Sequence, residues 1–225
     1  MKPFPWSYSV LNTFTTCPAQ YHAVKVVKTA ADAKGEEARY GDYVHKQFEN
    51  RQKHSTALPP DLAQHEDYMQ ALAAQPGERL TEGRLALNKA MQPCAFFARD
   101  VWVRAIVDFA TIDGDVARIV DYKTGKRIPS PDQMRLCSLI VFATYKQVQV
   151  CECTYYMIQF PAEQRIVQHT FHRGDAPKMW QKFVPALTQY VEAFHTDIWQ
   201  ERQSGLCRGW CPVKQCPYWT PKPDA

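Results

Sequence analysis

The stretch "RDVWVRAIVDFATIDGDVARIVDYKTGK", Arg99 to Lys126, constrains the fold more than any other segment. Two runs rich in β-branched residues flank an Asp-Gly pair. That pattern predicts a β-hairpin with its turn at Asp113-Gly114. In the first arm Val101, Val103, Ala105 and Val107 fall on one face. Trp102, Arg104, Ile106 and Asp108 fall on the other, because side chains alternate along a strand. In the second arm Ile119, Asp121 and Lys123 share a face. The hairpin therefore offers two carboxylates, Asp108 and Asp121, on adjacent arms.

The rest of the chain supplies helices and further strands. "SYSVLNTFTTCPAQYHAVKVV" starts with Ser7 and Ser9, both suited to cap a helix, and Pro18 splits it into two short helices. "EEARYGDYVHKQFENRQKH" reads as a helix on which Gly41 and His45 share a face beside Phe48. Pro59-Pro60 breaks the chain, and "DLAQHEDYMQALAAQ" reads as an exposed helix ending before Pro76-Gly77. "ERLTEGRLALNK" is a strand. After the hairpin, "SPDQMRLCSLIVFATYKQ" is a helix capped by Ser130 and started by Pro131. "QVCECTYYMIQF" and "RIVQHTFH" are two more strands. "APKMWQKFVPALTQYVEAFHTDIWQERQ" is a long helix with an internal Pro185. This order predicts an α/β fold, a mixed central sheet flanked by helices. The least globular segments are Ser55 to Asp61 and the tail from Thr220.

A chain of 225 residues suits one sizeable domain. The expected division is a core at about 78–172, a helical part at 1–77, and a final helix with a cysteine-rich tail at 173–225. The net charge of +4 is compatible with nucleic acid without being evidence for it. No apolar run approaches the ~20 residues of a membrane span. The opening "MKPFPWSYSV" lacks the apolar core of a signal peptide. A cytoplasmic protein is expected.

Two carboxylates that face each other repel unless a proton or cation lies between them. A hard divalent cation, Mg²⁺ or Mn²⁺ in one or two copies, matches such oxygen ligands and leaves positions for water and phosphate. Lys123, two residues past Asp121, adds a positive charge beside the reacting centre. A surface ion pair is the plainer reading of "DYK" taken alone.

Several segments occurring in order resemble the RecB-like branch of the PD-(D/E)xK nuclease superfamily. "SYSVLNTFTTCPAQY" is similar to its opening Ser-x-Ser-x-Leu…Cys-Pro…Tyr segment, and "GDYVH" to its Gly-x-x-x-His motif. "TEGRLAL" resembles its acidic strand. "VRAIVDF" resembles its Gly-x-x-Asp strand, with Ala105 in place of glycine. "VDYKTGK" matches its most specific motif intact. "QMRLC" resembles its Gln-x-x-x-Tyr helix, with Cys137 in place of tyrosine. The resemblance implies a restriction-endonuclease-like core. It implies that His45, Asp108, Asp121 and the Tyr122 carbonyl are metal ligands and that Lys123 is the catalytic lysine. Glu82 would be an additional acidic group and Gln133 would position substrate. Basic residues such as Lys126, Arg127 and Arg135 would contact phosphates, and Trp210 and Trp219 are candidates for stacking on bases or for packing.

Iron–sulfur relatives in that branch, the RecB/AddB-type and CRISPR-associated exonucleases, place one cysteine before the nuclease core and three after it. Cys17, Cys207, Cys211 and Cys216 resemble that arrangement, with a C-x3-C-x4-C spacing in place of C-x2-C-x5-C. Four thiolates suit a 4Fe-4S cluster or structural zinc; the remaining alternative is four ordinary thiols. Cys94, Cys137, Cys151 and Cys153 read as core or surface thiols.

The activity implied is metal-dependent DNA hydrolysis at ends or on single strands, in recombination, repair or processing. The competing readings are an inactive nucleic-acid-binding protein on the same scaffold and a redox carrier. No G-x-x-x-x-G-K-[ST] motif is present, so a separate helicase, annealing protein or CRISPR-type partner is expected. The compartment would be the host cytoplasm if the chain is phage-encoded.

Overall fold

The computed structural model describes residues 4–31 and 35–221. Parts of the opening segment and of the tail from Thr220 lie outside the described residues. The elements run α1 (Tyr8–Thr16), α2 (Pro18–Tyr21), α3 (Glu36–His54), α4 (Glu66–Ala73), β1 (Glu78–Asn88), β2 (Val101–Asp113), β3 (Val116–Lys123), α5 (Asp132–Thr144), β4 (Val150–Met157), β5 (Ile166–His172), α6 (Ala176–Gln181) and α7 (Val184–Thr196). One compact unit spans Lys34–Trp180, and the other joins Met1–Ala33 to Gln181–Ala225.

The first of these units holds a five-stranded sheet in the order β1-β2-β3-β4-β5. All neighbours are antiparallel except β3 and β4, which run parallel with α5 as the crossover. This is the mixed sheet flanked by helices expected of the sequence. The alternation in β2 is also found: Val101, Val103, Ala105 and Val107 are buried, and the residues between them less so. The hairpin turn falls at Gly114-Asp115, one residue later than expected. Gly114 there adopts a φ of +58°, the left-handed conformation a tight turn between strands requires.

Several helical expectations need correction. The segment at 61–75 is not an exposed helix. A 3₁₀ turn at Pro60–His65 leads into α4, and Leu62, His65, Met69 and Leu72 are all buried. Their 3-4-3 spacing forms one stripe. It packs with Val44 and Phe48 of α3 against Phe109, Val120, Tyr122 and Tyr156 of the sheet. The long helix expected over 176–203 is two helices, broken after Gln181. Pro185 explains the place of the break. Its ring clashes with the carbonyl four residues earlier, that of Gln181, and it lacks the N–H that would bond there. At α5 the N-cap is Pro131 rather than Ser130, and the helix starts at Asp132, whose N–H donates to the Ser130 hydroxyl at 3.2 Å. The helix stops at Thr144, short of the expected Gln147.

In the other unit, Ser7 caps α1 by accepting from the Val10 N–H. The split at Pro18 is present, and the Cys17 sulfur takes the cap position of α2. Phe14, Tyr21, Tyr190, Phe194 and Trp199 form its aromatic centre, with the Tyr21 and Tyr190 hydroxyls 2.8 Å apart.

His65 gives the core a pH dependence. It is 1% exposed, its Nδ1 lies 2.8 Å from the Tyr156 hydroxyl, and rings of Phe48 and Tyr156 meet it edge-on. Burial, and secondarily the charge of Arg165, lowers its pKa to about 4. The unfolded chain binds a proton near pH 6.5 that the folded chain refuses, so this stability is present above pH 6.5 and is lost as pH falls toward 4. Melting curves are expected to show a loss of about 1–3 kcal/mol across that window. A His65→Gln variant should show a flatter profile; an equal acid loss in the variant would mean other groups carry it.

Candidate active site at the fork of the sheet

The β2–β3 ladder begins at Asp113↔Val116 and ends at Phe109↔Val120. Beyond it β2 pairs only with β1, and β3 only with β4. Asp108 and Asp121 stand one residue past the last pair, at the mouth of this fork. Asp108 Oδ2 accepts the Tyr122 N–H at 2.7 Å, occupying a donor that a longer ladder would have paired with β2. The Lys123 carbonyl accepts from Ile158 on the β4 side at 2.9 Å. Backbone groups of successive strand residues point to opposite edges. The Tyr122 N–H and carbonyl therefore both face the fork, while its ring is buried in the core.

His45 reaches the fork from α3. Its Nδ1 lies 3.4 Å from Asp108 Oδ1. At Gly41, one turn earlier, α3 lies close to the segment just past Lys123: a Cβ there would stand 3.2 Å from Thr124 Oγ1. Glu82 enters from β1. It holds a φ of +52° within a strand, a left-handed conformation that a non-glycine residue adopts only at some cost. One ligand atom each from His45, Glu82 and Asp108 lie within 4.8 Å of one another. A nitrogen and two carboxylate oxygens so gathered fit a divalent cation.

Asp121 stands beside this trio and is engaged elsewhere. Its Oδ2 lies 2.5 Å from Lys123 Nζ, and its Oδ1 accepts from the Gln133 amide. Gln133 Oε1 in turn accepts from Lys123 at 2.9 Å. Gln133, expected to position substrate, thus bridges Asp121 and Lys123. Cys137, one turn further along α5, is buried, and burial pushes its thiol well above the ordinary range.

The charges interact strongly. Burial, then the negative Asp108, pushes Asp121 up to about 7 against the pull of Lys123. Burial and Asp108 also raise Glu82. For His45, burial works to lower the pKa, but the hydrogen bond and charge of Asp108, with Asp121 and Glu82, hold it above the usual imidazole value. Three carboxyls crowded around one imidazole and one ammonium make a site that favours added positive charge.

Among the remaining expected residues, Lys126 and Arg127 are exposed just past β3. Arg135 is paired with Asp132 and lies over Phe171. Trp219 donates to the Cys211 carbonyl at 3.0 Å, and Trp210 is exposed. Cys137, Cys151 and Cys153 are buried, with Ser138 Oγ 3.3 Å from Cys153.

Cys17, Cys207, Cys211 and Cys216 line one cavity of about 190 Å³ in the unit formed by the two chain ends. Backbone N–H groups point at their sulfurs: Gln20 and Arg202 donate to Cys17 at 3.5 and 3.4 Å, and Ser204 to Cys207 at 3.5 Å. Burial raises the Cys211 thiol, the Val213 backbone opposes this, and the other three cysteines add to it. Four sulfurs around one cavity fit a thiolate-held centre. Around tetrahedral zinc, sulfurs would lie about 3.8 Å apart, from Zn–S bonds of about 2.3 Å. Among the described residues no three of these sulfurs gather within 4.8 Å.

Sequence reasoning missed the backbone of the site. The Asp108–Tyr122 bond, the strained Glu82 and the Gln133 bridge depend on where two strands part, which side-chain periodicity does not encode.

A family model for the PD-(D/E)XK nuclease superfamily matches residues 5–217. No curated protein matches the sequence. Among solved structures, a candidate exonuclease from Eubacterium rectale is 14% identical; the match covers 98% of this chain and 91% of that one, with a TM-score of 0.55. LHK-Exo, an alkaline exonuclease from Laribacter hongkongensis, solved in complex with dAMP, is 11% identical over 84% of this chain and 92% of that one, with a TM-score of 0.35. The first likeness is one of fold. The family match spans nearly the whole sequence, and the chain belongs to the PD-(D/E)XK nuclease superfamily.

Proposed function

We propose that the chain is a divalent-metal-dependent DNA exonuclease of the RecB-like branch, one nuclease domain working on ends or single strands in recombination, repair or processing. The observation that carries this is the placement of the His45–Glu82–Asp108 trio beside the Asp121–Lys123–Gln133 group at one fork. His45, Glu82, Asp108, the Tyr122 carbonyl and Asp121 would hold one or two Mg²⁺ or Mn²⁺ ions. A bound ion would supply positive charge to a phosphate oxygen and acidify water in the site. Lys123 supplies an ammonium where negative charge grows on the phosphate. Gln133 fixes that ammonium and Asp121 relative to each other. Tyr122 gives its N–H to Asp108, which holds that carboxylate in the fork.

The four cysteines at the chain ends would hold a 4Fe-4S cluster, with zinc as the alternative. The four cysteines around one cavity, with backbone N–H groups pointing at Cys17 and Cys207, support a thiolate-held centre. A DNA-opening or annealing partner and a reducing cytoplasm complete the reading. The test is hydrolysis of end-labelled single-stranded DNA with Mg²⁺, with Mn²⁺ and with chelator. Cation-dependent release of mononucleotides or short products from an end is expected. DNA binding with no cleavage under any cation would leave an inactive binding protein.

A further inference from the structure

We propose that the side chains leading away from the fork along β1 and β2 form a platform for single-stranded DNA, with Arg84 and Arg104 meeting its phosphates and Phe97 stacking on an unpaired base. The proposal rests on the nuclease reading above and adds the path by which the strand reaches the fork.

Ile106 and Arg104 share the strand face of Asp108, two and four residues before it. The β1–β2 register sets Arg84 opposite Ile106. The row therefore starts at the candidate metal ligands and extends about 13 Å to Arg104, at about 3.3 Å per strand residue. The loop joining β1 to β2 returns over its far end. There the Arg84 guanidinium lies 5.7 Å from the ring centres of both Phe96 and Phe97, and Arg104 lies 5.1 and 5.4 Å from them. Trp102, next on the same face, packs 5.9 Å from Trp180.

Packing alone does not account for this cluster. Arg51, Arg118 and Arg135 in the same unit each have a carboxylate partner. Among the described residues Arg84 and Arg104 have none, and Arg104 Nε is buried without a hydrogen-bond partner. Two guanidiniums without counter-charge suit an anionic ligand. Phe97 is 72% exposed and Ile106 45% exposed. Exposed apolar groups beside unpaired cations suit a ligand with both phosphates and accessible base faces. A duplex hides those faces within its stack. A single strand offers them.

The test uses the full chain with two exposed-residue variants, Phe97→Ala and Arg84→Gln, each first checked for wild-type melting. Binding of long and very short labelled oligothymidylates is followed by fluorescence anisotropy with Ca²⁺ present, and kcat/KM is measured with Mg²⁺ or Mn²⁺. Each variant should bind the long oligomer about tenfold more weakly, a factor within the range for one lost stacking or phosphate contact. Arg84→Gln should also flatten the dependence of log affinity on log salt by about 0.7, and Phe97→Ala should leave that slope alone. The advantage in kcat/KM of long over dinucleotide-length substrate should shrink in both. Variants that bind and cleave long single strands like the wild type would overturn the platform. So would an equal loss on blunt duplex. Weakened binding in the variants of a wild type that cleaves nothing would support the platform and overturn the nuclease reading instead.

Discussion

Asp121→Ala and Asp108→Ala are each expected to lower DNA cleavage by about three orders of magnitude, yet only Asp108→Ala is expected to cost stability. On the function proposed, the rate loss follows from removing groups that would hold a cation against the phosphate, a contribution of several kcal/mol to the transition state. The stability split follows from their partners. Asp121 is buried, and burial followed by Asp108 pushes its pKa up to about 7. A carboxyl raised in this way contributes stability below its ordinary value of 3.8 and loses it as pH rises through about 7. At pH 8 in chelator, its removal relieves a buried charge, and Asp121→Ala should melt no lower than wild type. Asp108 instead accepts the Tyr122 N–H at 2.7 Å. Its loss leaves that donor without a partner, at a cost of about 1–3 kcal/mol. Asp108→Ala should therefore melt lower. Nuclease assays beside thermal melts check both halves, and Mn²⁺-dependent cleavage retained by Asp121→Ala would sink the site assignment.

The two carboxylates were legible because a hairpin turn and a period of two place Asp108 and Asp121 on facing arms whatever surrounds them. The detail between them was not. Where β2 leaves β3 is decided by β1 and β4 competing for the two strands, and no local residue pattern records that competition. Glu82 shows the same limit: its neighbours read as ordinary strand, and only the assembled site shows its left-handed backbone. The stripe of Leu62, His65, Met69 and Leu72 carried a readable signal, hidden because one of its four members is a histidine. The helix break before Pro185 was also readable, since the clash falls four residues upstream of the proline. Phe96 and Phe97 lie in a loop without periodicity, and their relation to Arg84 and Arg104 needs the strand register.

If one cluster joins Cys17, Cys207, Cys211 and Cys216, Cys17→Ser and Cys216→Ser should damage the protein equally, although they lie near opposite ends of the sequence. A shared centre closes a loop between the two segments that make up this unit. Losing any thiolate opens that loop and forfeits a binding free energy that is also folding free energy. The loss is comparable with the whole margin of about 5–15 kcal/mol by which domains are stable, so both variants should unfold this unit near room temperature. Backbone N–H groups of Gln20 and Arg202 point at the Cys17 sulfur, and that of Ser204 at the Cys207 sulfur. Anaerobically purified protein should be brown, with broad visible absorbance and iron and sulfide in equal amounts. Colourless protein with stoichiometric zinc would assign the site to zinc. Colourless protein with neither metal, together with wild-type melting in both serine variants, would make the four cysteines ordinary thiols. Asp108, Asp121 and Lys123 lie in the other unit, and activity in the variants is expected to fall in step with the folded fraction.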